Sequence, residues 1–129
     1  MIALDTNVLV RAILQDDAVQ SPKAQRHMAA AAKEEGLFVS AFAVLELAWV
    51  LRSCKVPKAK VVETLRTLLA ATGISVGHRP QVAAALDAFE SGKGDFADYL
   101  IQQDGAFNGA HGFLSFDAIL RKEGLAKTP

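Results

Sequence analysis

Short apolar segments alternate with longer stretches of helical spacing along this chain. The apolar segments are IAL at 2 to 4, LFVS at 37 to 40, ISV at 74 to 76 and GFLS at 112 to 115. Strands this short and apolar, separated by helices, are typical of a parallel sheet that is covered on both faces. The alternation therefore predicts a three-layer α/β/α sandwich with a mostly parallel sheet of four to five strands.

Capping residues and helix breakers set the predicted helix ends. The first helix follows Asp5 directly, and the second is expected to begin with Ser21 as its cap and Pro22 in its first turn. Gly36 should end that second helix because glycine tolerates the left-handed conformation found there. The remaining predicted helices span residues 41 to 53, 57 to 71, 80 to 90, 95 to 107 and 118 to 124.

The size and charge of the chain limit its class. A length of 129 residues with 51% apolar content predicts one domain, residues 1 to 129. The 14 basic and 14 acidic residues cancel, so no overall positive field indicates a polyanionic partner. The amino terminus lacks a basic, apolar leader, and no apolar run approaches the ~20 residues of a membrane span. We expect a cytoplasmic protein with no membrane partner.

Acidic residues follow two of the predicted strands. Asp5 comes directly after IAL and Asp117 after GFLSF, so both are expected at the carboxyl edge of the sheet, where ligands bind in such folds. Asp95 and Asp98 are three residues apart and can share one helix face. Glu46 is the only charge in AFAVLELAWVL, and no residue one turn away can pair with it. Either Glu46 reaches solvent or its partner lies elsewhere in the fold.

A purely structural interpretation of these acids stays open. Asp5, Asp95 and Asp117 each precede a helix and could cap it, and Asp98 could complement the helix dipole. A gathering of all the acids is different, because two carboxylates at ~5 Å repel by roughly 3 kcal/mol at an effective dielectric of about 20. Residues 87 to 104 hold five acids but only one base, Lys93. A hard cation such as Mg²⁺ or Mn²⁺ would neutralise them and could activate water for phosphodiester hydrolysis.

Four segments in this order are similar to a known family. LDTNVLVR at 4 to 11, VLELAWVLR at 44 to 52, GDFADYLI at 94 to 101 and FLSFD at 113 to 117 together resemble the PIN-domain ribonucleases, in particular the VapC-type toxins of bacterial toxin and antitoxin pairs. The resemblance implies endonucleolytic cleavage of RNA with Mg²⁺, for which Mn²⁺ can substitute. It also implies a homodimer that is inhibited by a cognate antitoxin protein.

The same resemblance implies roles for individual residues. It gives Asp5, Glu46, Asp98 and Asp117 as the catalytic acids, and these four with Asp95 as the metal ligands. Thr6, Asn7 and Ser115 match positions that orient the carboxylates or the metal-bound waters. The chain departs from many relatives after the last acid, where Ala118 and Ile119 replace basic or polar residues.

Basic residues that could contact RNA are local. The segment 52 to 66 holds five basic residues and one acid, and from it Arg52 and Lys55 are candidates for contacts with the RNA backbone. Arg11, in the first predicted helix, is a third candidate. A solvated helix face explains the same pattern.

Two other functions remain open from the sequence. A phosphatase of the haloacid-dehalogenase type also begins with a strand that ends in aspartate, but its chemistry usually needs a second acid two residues later, where this chain has Asn7. A catalytically silent protein-binding module, in which the acids only cap helices, is the other.

Overall fold

The computed structural model describes all 129 residues, and they divide into two compact units, Met1–Arg79 and Pro80–Pro129. The first unit contains every strand and four helices, and the second contains three helices. The strands are β1 (Ile2–Ala3), β2 (Leu37–Val39) and β3 (Ile74–Val76). The helices are α1 (Thr6–Leu14), α2 (Gln20–Glu34), α3 (Ala41–Ser53), α4 (Lys58–Ala70), α5 (Arg79–Ser91), α6 (Phe96–Phe107) and α7 (Ala118–Lys122).

The sheet of the first unit is parallel, with strand order β1-β2-β3. Ala3 lies opposite Phe38, which in turn lies opposite Ser75, and the Leu4 N–H extends the pairing to the Phe38 carbonyl at 3.0 Å. Helix α1 packs against α2 and α3, while α2 contacts β2 and α4 contacts β3. The predicted α/β fold with a parallel sheet flanked by helices is confirmed. Because α1 and α3 directly follow neighbouring strands, both begin at the carboxyl edge of the sheet.

The predicted count of four to five strands is wrong, since the sheet has three. The segment expected as a fourth strand forms only one isolated parallel bridge, between Leu114 and Lys127. Two apolar side chains there lack cover, since Leu114 within the segment is 66% and Phe116 just after it is 79% exposed. An apolar run without a surface to pack against does not gain the burial that stabilises a strand.

Glycines end two segments of the first unit as expected. Gly36 after α2 and Gly73 before β3 have φ of +84° and +82°, which favour glycine. At Gly73 a Cβ would also stand 2.3 Å from the Ala32 carbonyl oxygen. The predicted cap of α2 is wrong, however, since Ser21 lies inside the helix. The Asp17 side chain precedes the helix instead and accepts the N–H groups of Val19 and Gln20, and these bonds lower the Asp17 pKa.

Helix α3 buries one face and exposes the other. Phe42 is 76% and Trp49 68% exposed, whereas the residues of the opposite face are buried. Helix α3 has apolar residues on all of its sides, and its neighbours in the first unit cover only part of its surface. Its buried residues are Ala41, Ala43, Val44, Leu47, Ala48 and Leu51.

The second unit has aromatic residues in its interior. Phe89 of α5 and Phe96 of α6 meet edge to face, with ring centroids 6.0 Å apart. Tyr99 and Leu120 are also buried, at 0% and 1% exposure. Nowhere in the chain is a helix both long and apolar enough to cross a bilayer.

Candidate functional site

Asp5 lies at the start of α1, directly after β1. Its Oδ1 accepts the N–H of Thr6 at 2.8 Å, and its carbonyl oxygen accepts the N–H of Val8 at 3.1 Å. Asp5 is therefore a helix cap, as the structural interpretation predicts. Its carboxylate is exposed and its second oxygen accepts no hydrogen bond, so capping leaves one oxygen for a ligand. Thr6 beside it is buried and Asn7 is exposed.

Glu46 lies on the exposed face of α3. Phe42 and Trp49, four residues before and three after it, are exposed with it, and the Glu46 carboxylate makes no hydrogen bond or ion pair. Of the two possibilities that the sequence left open, Glu46 therefore reaches solvent. No free energy of charge burial has to be offset, and the carboxylate is available to an external partner.

The first turn of α6 carries two acids of the second unit. Asp95 occupies the cap position with extended backbone, yet its side chain makes no capping hydrogen bond. Burial raises the pKa of Asp98, and the negative charges of Asp117 and then Asp95 raise it further, against a hydrogen bond from the Asp95 backbone. The Asp98 carboxylate thus lies close enough to those of Asp117 and Asp95 to be repelled by both. This repulsion is the electrostatic feature that a bound cation would relieve.

Asp117 is held more firmly than its two neighbours. Its Oδ1 accepts the N–H groups of Ile119 at 2.8 Å and Leu120 at 3.1 Å, so it caps α7. The Ser115 hydroxyl accepts the N–H of Asp117 at 3.0 Å and fixes the backbone from the other side. Ser115, expected to orient the acids, therefore contacts the backbone of Asp117, while the second carboxylate oxygen of Asp117 stays without a hydrogen bond.

The donor set fits a hard divalent cation in its chemistry. Asp95, Asp98 and Asp117 offer only carboxylate oxygens, the ligands that Mg²⁺ and Mn²⁺ prefer. Their side chains are not drawn together on one point, since no group of three or more acidic, histidine or cysteine side chains is arranged to hold a metal ion. The arrangement is one of repelling acids within electrostatic reach, and the ligand assignments of Asp5, Glu46, Asp95, Asp98 and Asp117 stay predictions.

The three candidate RNA contacts are all in the first unit. Arg11 is largely engaged within the protein, since its Nε donates to Gln20 at 2.9 Å and its Nη1 to both Asp16 oxygens at 3.1 Å. Arg52 is exposed and donates one hydrogen bond to the Val56 carbonyl at 3.1 Å. Lys55 is exposed just beyond α3, with φ of +60°. Arg52 and Lys55 are therefore the freer of the three.

Two further residues near the acids were not found from the sequence. The Tyr99 hydroxyl donates a short hydrogen bond to Glu123, whose other oxygen accepts the N–H of Lys93 at 2.9 Å. Nothing in the sequence links positions 99 and 123. Two glycines close to the tyrosine, Gly92 and Gly94, were the available signal, because they suggest a close approach to this loop.

Comparison with known families identifies the family of this chain. The PIN domain family model matches residues 2–121, almost the whole chain, and so the chain belongs to the PIN domain family. Members of this family are generally metal-dependent nucleases that act on RNA. A comparison with curated proteins returns no match.

Proposed function

We propose that this protein is a Mg²⁺-dependent endoribonuclease of the VapC type, the toxin of a toxin and antitoxin pair. One observation carries the catalytic part of the proposal. In a chain of the PIN family, half-buried Asp98 in the first turn of α6 lies within electrostatic reach of Asp117, the cap of α7, and of Asp95, the residue before α6. Carboxylates kept together against their repulsion are typical of functional sites.

The proposed roles follow the chemistry of the side chains. Asp98, Asp117, Asp5 and Glu46 are the catalytic acids and metal ligands, with Asp95 as an additional ligand. A bound Mg²⁺ or Mn²⁺ would supply an activated water and charge neutralisation for phosphodiester hydrolysis.

The protein restrains two of these carboxylates, those of Asp117 and Asp5, before a cation binds. The capping bonds of Asp117 restrict its carboxylate to one orientation, and Ser115 restrains the backbone from which it projects. Asp5 is restrained in the same way by Thr6, and Asn7 offers an exposed amide beside it. Preorganised ligands of this kind lose little conformational entropy when a cation binds.

The proposal extends to partners and setting. We propose that residues 1–129 act as one PIN domain, which the family match across both units supports. Arg52, Lys55 and Arg11 contact the RNA backbone in this proposal. A homodimer inhibited by a cognate antitoxin in the cytoplasm completes it, supported by the apolar surface that Phe42 and Trp49 leave exposed on α3.

The two alternative functions are supported to different degrees. Membership of the PIN family disfavours the haloacid-dehalogenase type of phosphatase, as does Asn7 at the position of its second acid. A silent protein-binding module would explain why no three acids converge on one point. Calorimetric titration with Mn²⁺ separates it from the nuclease, because a silent module should bind no cation at these acids.

Cleavage of RNA by the purified protein tests the proposal. We expect cleavage of single-stranded RNA with Mg²⁺ or Mn²⁺, none in chelator, and a loss of about 100-fold or more in Asp98→Asn, since even residues that only support a metal ligand typically contribute 10–100-fold. The matched control is Asp104→Asn, an exposed aspartate farther along the same helix. Full cleavage by Asp98→Asn, or an equal loss in Asp104→Asn, would contradict the assignment.

A further inference from the structure

A buried tyrosine ties together two segments of the second unit. Tyr99 is 0% exposed, and its hydroxyl donates to the Glu123 carboxylate and accepts the N–H of Gly94 at 2.9 Å. The other Glu123 oxygen accepts the N–H of Lys93 at 2.9 Å. Both oxygens of Glu123 are thus engaged, one by the first turn of α6 and the other by the loop before it.

The loop before α6 is built around the phenol of Tyr99. A Cβ at Gly92 would stand 2.1 Å from the Tyr99 hydroxyl oxygen, and a Cβ at Gly94 would stand 3.0 Å from it. Any larger residue at Gly92 would also meet the Ala88 carbonyl oxygen at 2.8 Å. The two glycines therefore leave room for the Tyr99 hydroxyl. Apolar packing alone would not require that hydroxyl, since a phenylalanine ring would fill the same position.

The tied segments are those that carry the acids. Tyr99 directly follows Asp98 in the first turn of α6, whereas Glu123 is the carboxyl-terminal cap of α7, directly after Lys122. Helix α7 directly follows its cap, Asp117, and has only five residues. Because the helix is so short, its two ends move together. A restraint on Glu123 therefore restrains Asp117, and a restraint on Tyr99 restrains Asp98.

The restraint acts against a repulsion. Asp98 and Asp117 carry like charges that drive the start of α6 and the start of α7 apart when no cation lies between them. A hydrogen bond from a buried hydroxyl to a carboxylate is among the stronger polar contacts, and two more backbone N–H groups support this one. The network is thus placed to oppose the separation of the two acids.

We propose that Tyr99 and Glu123 are positioning residues, whose hydrogen bonds hold Asp98 and Asp117 close enough to share one divalent cation. This proposal rests on the proposed function, because it assumes that these two acids bind the metal. Neither Tyr99 nor Glu123 touches the cation or the RNA in it. They act only through the segments that carry the acids.

Binding of Mn²⁺ alone, measured by calorimetry, tests the proposal apart from catalysis. Tyr99→Phe keeps the ring and removes the hydroxyl, and Glu123→Gln removes an acceptor. We expect each variant, shown to be folded by circular dichroism, to bind Mn²⁺ about 10-fold more weakly. The double variant should lose no more than either single variant, because both remove the same link. Glu63→Gln, at an exposed glutamate of α4, is the matched control.

Kinetics give a second readout. A displaced pair of acids should lower kcat for RNA cleavage by a similar factor and leave KM unchanged, since RNA contacts lie elsewhere. A merely structural role would lower the melting temperature while Mn²⁺ affinity, measured well below that temperature, stayed within about two-fold of the wild type, and this result would overturn the proposal. Glu123→Gln changes an exposed residue, so it keeps the test valid if Tyr99→Phe does not fold.

The two proposals fail in different ways. If the wild-type protein binds Mn²⁺ but cleaves no RNA, the ribonuclease is contradicted, and the variants' Mn²⁺ affinities still decide the positioning role. If the wild-type protein binds no Mn²⁺, both are overturned. If Glu63→Gln weakens binding as much as Glu123→Gln, the effect is one of overall charge and the positioning role is overturned.

Discussion

The starts of α7 and α6 are alike in sequence and different in structure. Asp117 and Asp95 each precede a helix with extended backbone, but Asp117 accepts two backbone N–H groups and Asp95 accepts none. At α7 the carboxylate stabilises its own helix. At α6 the cap position is filled without a side-chain bond, and Asp98 one turn on has a raised pKa. An aspartate before a helix can thus stabilise the helix, bind a ligand, or do both.

Substitution of Asp117 should have the largest effect, because Asp117 caps α7 and is also a proposed metal ligand. Asp117→Asn keeps a capping oxygen and removes the charge, whereas Asp117→Ala removes both. We expect both variants to lose RNA cleavage by about 10-fold or more, because both lack a carboxylate ligand. Only Asp117→Ala should also lose about 1 kcal/mol in free energy of unfolding, measured in urea. Full cleavage by Asp117→Asn would mean that Asp117 only caps α7 and does not bind the metal.

The contrast between bonded and unbonded caps can be tested on stability alone. Ser40 caps α3 by accepting the Ala43 N–H at 3.1 Å, whereas the Asp95 side chain makes no such bond. Ser40→Ala should therefore lower the free energy of unfolding by about 1 kcal/mol, and Asp95→Ala by less than half of that. An equal loss in the two variants would show that Asp95 caps α6 in solution.

The pH dependence of stability should show the cost of keeping Asp98 ionised. Its pKa is raised above the ordinary 3.8, so the folded protein holds this proton more tightly than the unfolded chain. The stability of the metal-free protein should therefore fall as pH rises from 3.8 through the raised pKa of Asp98. Asp98→Asn should lack this decrease and be modestly more stable than the wild type at neutral pH. Chemical unfolding at a series of pH values measures both, and a less stable variant would contradict the prediction.

Glu46 should give the smallest change in stability. Its carboxylate is exposed and unpaired, so Glu46→Gln should change the free energy of unfolding by less than about 0.5 kcal/mol. In the proposed function the same variant should still weaken RNA cleavage, because a carboxylate is lost. A large loss of stability would mean that Glu46 has a structural partner after all.

Local signals predicted most of the helix ends, whereas the cap of α2 and the fourth strand were predicted wrongly. Helices α3 and α4 and strand β3 begin and end where caps, proline and glycine indicated. The fourth strand was wrong, and α3 exposes apolar residues, because both outcomes depend on what covers an apolar surface. Leu114 and Phe42 are apolar in either case, and only the packing of distant residues decides that they face solvent.

The acids were predictable as candidates, but not their surroundings. A sequence can place Asp5 and Asp117 before helices, and it cannot show which oxygen a cap engages and which it leaves. The link between Tyr99 and Glu123 is likewise a product of folding, since 24 positions separate them. For Glu46 the sequence left open whether the carboxylate reaches solvent or pairs with a distant residue, and in the folded chain it is exposed.

The exposed face of α3 also gives the protein a built-in optical reporter. Trp49 is the only tryptophan of the chain, and at 68% exposure its indole is already in water in the native state. Its fluorescence emission should therefore change little in wavelength when the chain unfolds. A blue shift of that emission in the folded protein would instead signal that another molecule has covered α3, within one helical turn of Glu46.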